Sequence, residues 1–185
     1  MQDLSLHILD IVENSIDAGA TKIQIMIDED IEKNLLKIKI KDNGKGMDKK
    51  TLEKVLDPFY TTKTVRRVGL GLSLFAQSVK EAEGTIKIKS KVNKSTIVEA
   101  KMRYDHIDRK PLGDMCDTLM ALIGTRGNEI DFLYEHCKNN RYFRIDTKEI
   151  KNILNGIPIN SPEVIKFLRN KIKKELKKIK SEYDG

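Results

Sequence analysis

The chain has 185 residues, with 35 basic and 28 acidic side chains, a net charge of +7, two cysteines and no tryptophan. That length suits one domain, or one domain with a small appendage, and a hydrophobic content of 39% excludes wholesale disorder. No apolar run approaches the ~18–20 residues of a membrane span, the Met1-Gln-Asp-Leu start lacks a basic leader pattern, and Cys116 and Cys137 lie outside any CxxC spacing, so the expectation is a reduced cytoplasmic protein.

In chain order, Leu4 to Asp17 predicts a helix stopped at Ala18-Gly19-Ala20. Its circumference is mostly apolar, yet Asp3, His7, Asp10, Asn14 and Asp17 recur at spacings of four and three, which stacks them on one face. Such a stripe is either a solvated face or a set of groups with a ligand to meet. Lys22 to Asp28 and Leu35 to Lys41 predict a hairpin around the charged turn at Asp30 and Asn34. Asp42-Asn-Gly-Lys-Gly-Met47 then breaks the second strand. Its glycines permit close backbone approach, and its carboxylate can accept from an amine. A short helix is expected over Lys49 to Leu56, before Pro58.

Residues 59–69 show no periodicity. Gly69-Leu-Gly-Leu-Ser73 feeds a helix expected over Leu70 to Glu81, and exposed amides at a helix start favour phosphate oxygens. Thr85 to Val92 and Thr96 to Arg103 predict a second hairpin turning at Asn93-Lys94. Beyond Asp105, a linker from His106 to Pro111 leads to a helix over Leu112 to Ile123. A hairpin (Phe132 to His136 and Tyr142 to Ile145), a short helix from Thr147 to Leu154 and a last helix after the Ser161 N-cap and Pro162 follow. The pattern specifies an α+β class, a two-layer sandwich with helices on one face of a mixed, mainly antiparallel sheet, plus a small C-terminal α/β extension. The expected division is residues 1–104, 105–160 and 161–185.

The excess charge is local. Lys166 to Lys180 holds eight basic residues and one acid, Glu175, so the rest of the chain sums to zero. An electroneutral body argues against nucleic acid as a partner. Ile165, Leu168, Ile172, Leu176 and Ile179 make an apolar stripe on that last helix, which reads as a docked helix with a solvated lysine face or as a docking surface for an anionic partner.

Taken together and in order, the motifs of residues 3–103 resemble the ATPase superfamily shared by gyrase, heat-shock chaperones, histidine kinases and mismatch-repair ATPases, the Bergerat fold. Glu13-Asn-Ser-Ile-Asp-Ala-Gly-Ala-Thr21 resembles its N box, and Asp42-x-Gly-x-Gly46 its G1 box. Asp57-Pro-Phe-Tyr-Thr-Thr-Lys63 and Gly69-Leu-Gly-Leu-Ser73 resemble the F and G2 boxes in histidine-kinase style. The resemblance implies ATP and Mg²⁺ as ligands, with Asn14 offering its amide oxygen to the metal and Asp42 accepting from the adenine amine. It further implies Gly44 and Gly46 shaping the base pocket with Thr96 packed near the adenine, Lys63 and the amides around Gly69, Leu70 and Gly71 facing the phosphates, and Asp17, Met47, Phe59, Thr62 and Leu72 as further ATP-binding residues. Thr64 to Val68 would be a short lid.

Asp10 departs from the hydrolytic members, which carry glutamate one turn before the asparagine. It is the catalytic candidate, but one methylene shorter. Glu13 lies about 100° from Asn14 on a helix and does not replace it. His7 lacks the acceptor context of a phosphorylated histidine, which assigns it a packing role. The implied function is a kinase acting in trans on a separate protein, or a nucleotide-gated regulator of one, in signal transduction. A slow ATPase switch and a nucleic-acid-associated ATPase of mismatch-repair type are the alternatives. A second copy of the chain is a further candidate partner.

Overall fold

A computed structural model of the chain describes residues 2–56 and 70–181. Asp3 opens α1 (Leu4–Asp17) by accepting from the Leu6 amide at 3.1 Å, and the chain leaves it through Gly19 at φ +76°. Antiparallel β1 (Lys22–Asp30) and β2 (Leu35–Asp42) follow, joined by a turn with Asn34 at φ 52°. Then come α2 (Lys49–Lys54), α3 (Leu70–Glu81) and a second hairpin, β3 (Thr85–Lys91) with β4 (Ser95–Arg103). The remainder is α4 (Met115–Arg126), the β5 (Asp131–Lys138) and β6 (Arg141–Asp146) hairpin, α5 (Thr147–Leu154) and α6 (Pro162–Lys180).

Among the described residues all strands join one six-stranded sheet in the order β3-β4-β2-β1-β5-β6. Every pairing is antiparallel except β1 with β5. The α+β sandwich expected from the sequence is therefore present, and β5 and β6 extend the same sheet rather than forming a second one. Strict alternation on β1, β2, β4 and β5 turns residues such as Ile25, Ile38, Ala100 and Tyr134 to one face, and α1, α3, α4 and α6 cover it. The buried residues form a single continuous core.

Two local expectations shift. The α4 helix starts at Met115, not Leu112, because Asp114 caps it by accepting from the Asp117 amide at 2.9 Å. Leu112 is instead extended, its carbonyl accepting from Ser5 at 2.8 Å, and Pro111 likewise accepts from Leu4. The linker thus pins the start of α1. Ser161 precedes α6 as expected, but its hydroxyl makes no cap bond; it is buried and unpartnered, leaving Pro162 as the start signal. The α6 stripe of Leu168, Ile172, Leu176 and Ile179 is buried against α4 and β6, with lysines outward. The Arg141 guanidinium donates to the Lys178 and Ser181 carbonyls, closing the C-terminal end of α6.

A polar triad is buried in the half of the sheet away from Asp42. The Glu29 carboxylate accepts from His136 Nε2 at 2.7 Å, and Tyr134 donates to His136 Nδ1 at 2.8 Å. Burial pushes the Glu29 carboxyl up, but the His136 hydrogen bond and the nearby Lys138 charge outweigh it and hold the group below the usual 4.5. Its contribution to stability is present above that value and is lost as pH falls through the lower native one. His136→Ala takes the imidazole donor from a buried carboxylate and leaves it the Tyr104 hydrogen bond, with an expected cost of about 2 kcal/mol in urea unfolding at neutral pH. The cost shrinks once the carboxylate is protonated.

Candidate functional site

The spine of the site is α1. Asp10 and Asn14 are half-buried one turn apart, Asp17 is exposed at the helix end, and Glu13 points to solvent. A Cβ placed on Gly71 would lie 3.0 Å from Asp10 Cβ and 3.1 Å from its Oδ2, so α3 begins directly against this carboxylate. The first amides of a helix have no intrahelical acceptor, so the start of α3, at Leu70, Gly71 and Leu72, presents donors beside the polar face of α1. Asp10, Asn14 and the start of α3 are thus brought together.

At the other end of α1, Ser15 donates to Asp42 Oδ2 at 2.7 Å, while Asp42 Oδ1 accepts from the Gly44 amide at 2.9 Å. Asp42 is only 6% exposed, at the end of β2. Each carboxylate oxygen retains acceptor capacity beyond these bonds. Gly44 packs on Ala18, where an added Cβ would meet the Ala18 carbonyl at 3.0 Å. Gly46 has φ +65°, and a Cβ there would fall 2.1 Å from the Lys91 carbonyl. Lys45 donates to Ala18 and accepts from Asn93, the Met47 amide donates to Ser90, and Ser90 bonds Thr96 at 2.9 Å. Thr96 is also the register partner of Asp42. Asp42, Gly44, Gly46, Met47 and Thr96 therefore share one corner.

Three contributors escaped the sequence reading. Ser15 anchors Asp42, Ser90 ties Met47 to Thr96, and Asn43 accepts from the Thr21 and Lys22 amides at 2.9 Å each. Serines next to motif positions carry no signal in one sequence, although Asn43 at a strand end is a turn residue with a mechanism. Phe59, Thr62, Lys63 and Gly69, with the lid from Thr64 to Val68, lie outside the described residues.

His7 is 1% exposed, sits 5.6 Å from the Phe75 ring, and both its ring nitrogens are buried without partners. Burial first, then the Lys110 charge, lowers its pKa to about 4, so it stays neutral at pH 7. The unfolded chain then binds the extra proton, and stability falls as pH drops from about 6.5 towards 4. His7→Leu removes the orphaned groups. It is expected to raise stability by about 1 kcal/mol and to flatten that part of the pH profile, read by urea melts across pH.

The sequence pattern of the histidine kinase-, DNA gyrase B- and HSP90-like ATPases matches residues 2–106. The chain belongs to that family. Among curated relatives of this ATPase-family chain, a putative sensor protein of Shewanella frigidimarina is 36% identical over 97 residues, covering 51% of this chain and 15% of that protein. The sensor histidine kinase YvrG of Bacillus subtilis is 34% identical, covering 42% and 14%. The DNA mismatch repair protein MutL of Aliivibrio salmonicida is 29% identical over 78% of this chain and 22% of its own length. The chain thus spans a small part of each relative. A solved N-terminal domain of a DNA repair protein shares the fold, with a TM-score of 0.54 at 20% identity over 78% of this chain and 52% of that one. The family's domains bind ATP, generally with Mg²⁺. The residues here fit that ligand: a buried carboxylate gripped by Ser15 and Gly44 lies beside two glycines, and half-buried Asn14 carries an amide oxygen of the hard kind that Mg²⁺ takes. No described group of three His, Cys, Asp or Glu side chains makes a metal cage, and no described helix is long and apolar enough to cross a membrane.

Proposed function

We propose that the chain binds Mg-ATP between α1, the Asp42–Met47 segment and the start of α3, and that occupancy drives phosphotransfer to, or control of, a separate cytoplasmic protein. The observation that carries this is the Asp42 carboxylate, buried and aimed by Ser15 and Gly44. It accepts from the adenine amine and rejects bases that offer an acceptor there. Gly44, Gly46, Met47 and Thr96 shape the base pocket, with Asp17 at its rim. The amides at Leu70, Gly71 and Leu72 meet the triphosphate, and the family resemblance carries over Phe59, Thr62, Lys63 and Gly69 of the neighbouring motif as further ATP-binding residues. Asn14 holds the metal, which when bound neutralises phosphate charge.

Asp10 touches the start of α3 and is the candidate base for water. Its contact with Gly71 supports a second reading, a slow ATPase switch. One experiment separates the two: nucleotide binding, phosphate release and transfer of labelled γ-phosphate to candidate partners, measured together with and without Mg²⁺. Binding without release supports the regulator or trans kinase, and a labelled partner supports the kinase form. Phosphate release that disappears in Asp10→Asn establishes the ATPase switch instead. Absence of Mg-ATP binding overturns both.

A further inference from the structure

The sheet face that α1, α3, α4 and α6 leave uncovered is strongly basic in one half. Alternation turns Lys37, Lys39 and Lys41 of β2 and Lys87, Lys89 and Lys91 of β3 to this face, and Lys101 of β4 joins them. Glu99 lies in their midst, 3.5 Å from Lys37 and 3.7 Å from Lys101, and Asp28 of β1 borders them as the register partner of Lys37. Among the described residues Lys39, Lys41, Lys87, Lys89 and Lys91 make no ion pair. Lys37 and Lys101 are direct register partners, a like-charge pair that Glu99 bridges from between them. Lysines on the edge strand β3 guard against edge-to-edge pairing, but β2 lies between β4 and β1, where no such protection is needed.

We infer that this face is a docking surface for duplex DNA. The β2 and β3 lysines form two rails about 9–10 Å apart, with successive lysines about 7 Å apart along each. The rails straddle a minor groove ~6 Å wide and set their ammonium groups on the phosphate rows that border it. Glu99 and Ile97, on β4 between the rails, face the groove and not the phosphates. The outward positions of β2, β3 and β4 hold no aromatic ring, so there is no platform for unpaired bases. Protein interfaces deplete lysine and favour aromatic anchors, and a membrane surface needs apolar insertion that these strands lack, since none of their outward residues is an exposed large hydrophobic. Lysines acting as point charges on phosphates bind without reading sequence. The electroneutral total concealed this, because balancing acids lie elsewhere on the chain.

Fluorescence anisotropy with a labelled duplex of about two helical turns, between ~50 and ~200 mM salt, tests the inference. The protein binds, with affinity falling steeply as salt rises. The Lys39→Gln, Lys87→Gln, Lys89→Gln triple variant loses roughly tenfold or more, and its log–log salt slope is shallower by about 2–3. A Lys173→Gln, Lys174→Gln, Lys177→Gln variant on α6 keeps its affinity. If the sheet variant misfolds by its thermal melt, Lys89→Gln alone reduces the slope by about one. Absence of duplex binding, loss confined to the α6 variant, or stronger binding to the single strand, to anionic vesicles or to an acidic protein each overturns it.

Discussion

Asp42→Asn weakens ATP binding by roughly 30- to 100-fold, about 2–3 kcal/mol, while the fold survives. The asparagine oxygen still accepts from the Gly44 amide, and its amide nitrogen donates to Ser15, whose hydroxyl turns fully to the Ile11 carbonyl it already approaches at 3.3 Å. The local network is therefore satisfied, and the thermal midpoint is expected to stay within a few degrees. What is lost is the charge-assisted acceptor for an exocyclic amine. Calorimetric titration of ATP, with a melt as the folding control, reads both quantities. Unchanged affinity would remove Asp42 from the base pocket.

Gly46→Ala has the largest expected effect on stability, about 3 kcal/mol or more by urea unfolding, together with loss of nucleotide binding. Two costs add. At φ +65° an alanine pays the left-handed penalty, and its Cβ is forced against the Lys91 carbonyl and carbonyl carbon at 2.1 and 2.7 Å. The obstacle is backbone, fixed by the bond from Asn93 to the Lys45 carbonyl at 2.7 Å, so the segment must detach from the β3–β4 turn to relieve it. Gly19→Ala is the matched control: φ is +76° with nothing within 4 Å of the added carbon, and about 1 kcal/mol is expected. The difference between the two isolates the packing cost.

Apart from α4, which lies three residues later than expected at both ends, the local elements were legible to a residue or two. The helix over Leu4–Asp17 and that over Leu70–Glu81 match their predicted bounds, and each hairpin turns at the asparagine that supplies a positive φ, Asn34, Asn93 and Asn139. Propensity, period and capping act over a few residues, which one sequence displays in full. The start of α4 was misplaced because Leu112 is helix-forming by type but is claimed by Ser5, more than a hundred residues away. The same limit hid Ser15, whose role exists only because β2 ends where α1 turns. The motif positions Asp10, Asn14, Asp42, Gly44 and Gly46 were picked out through the family resemblance, which rests on residue types at fixed spacing and needs no knowledge of neighbours. The bond that aims Asp42 was not.

Sequence alone determined the family, the order of the elements and the face of each strand that turns inward, since these follow from local periodicity and from motif spacing. Tertiary structure decided that β5 and β6 join the main sheet through a parallel pairing of β1 with β5, that His7 is buried without a partner, and that lysines of β2, β3 and β4 converge on one open face. Charge summed along a chain is blind to this. Alternation sends lysines to one side of a strand, but only the pairing of strands distant in sequence decides whether those sides meet.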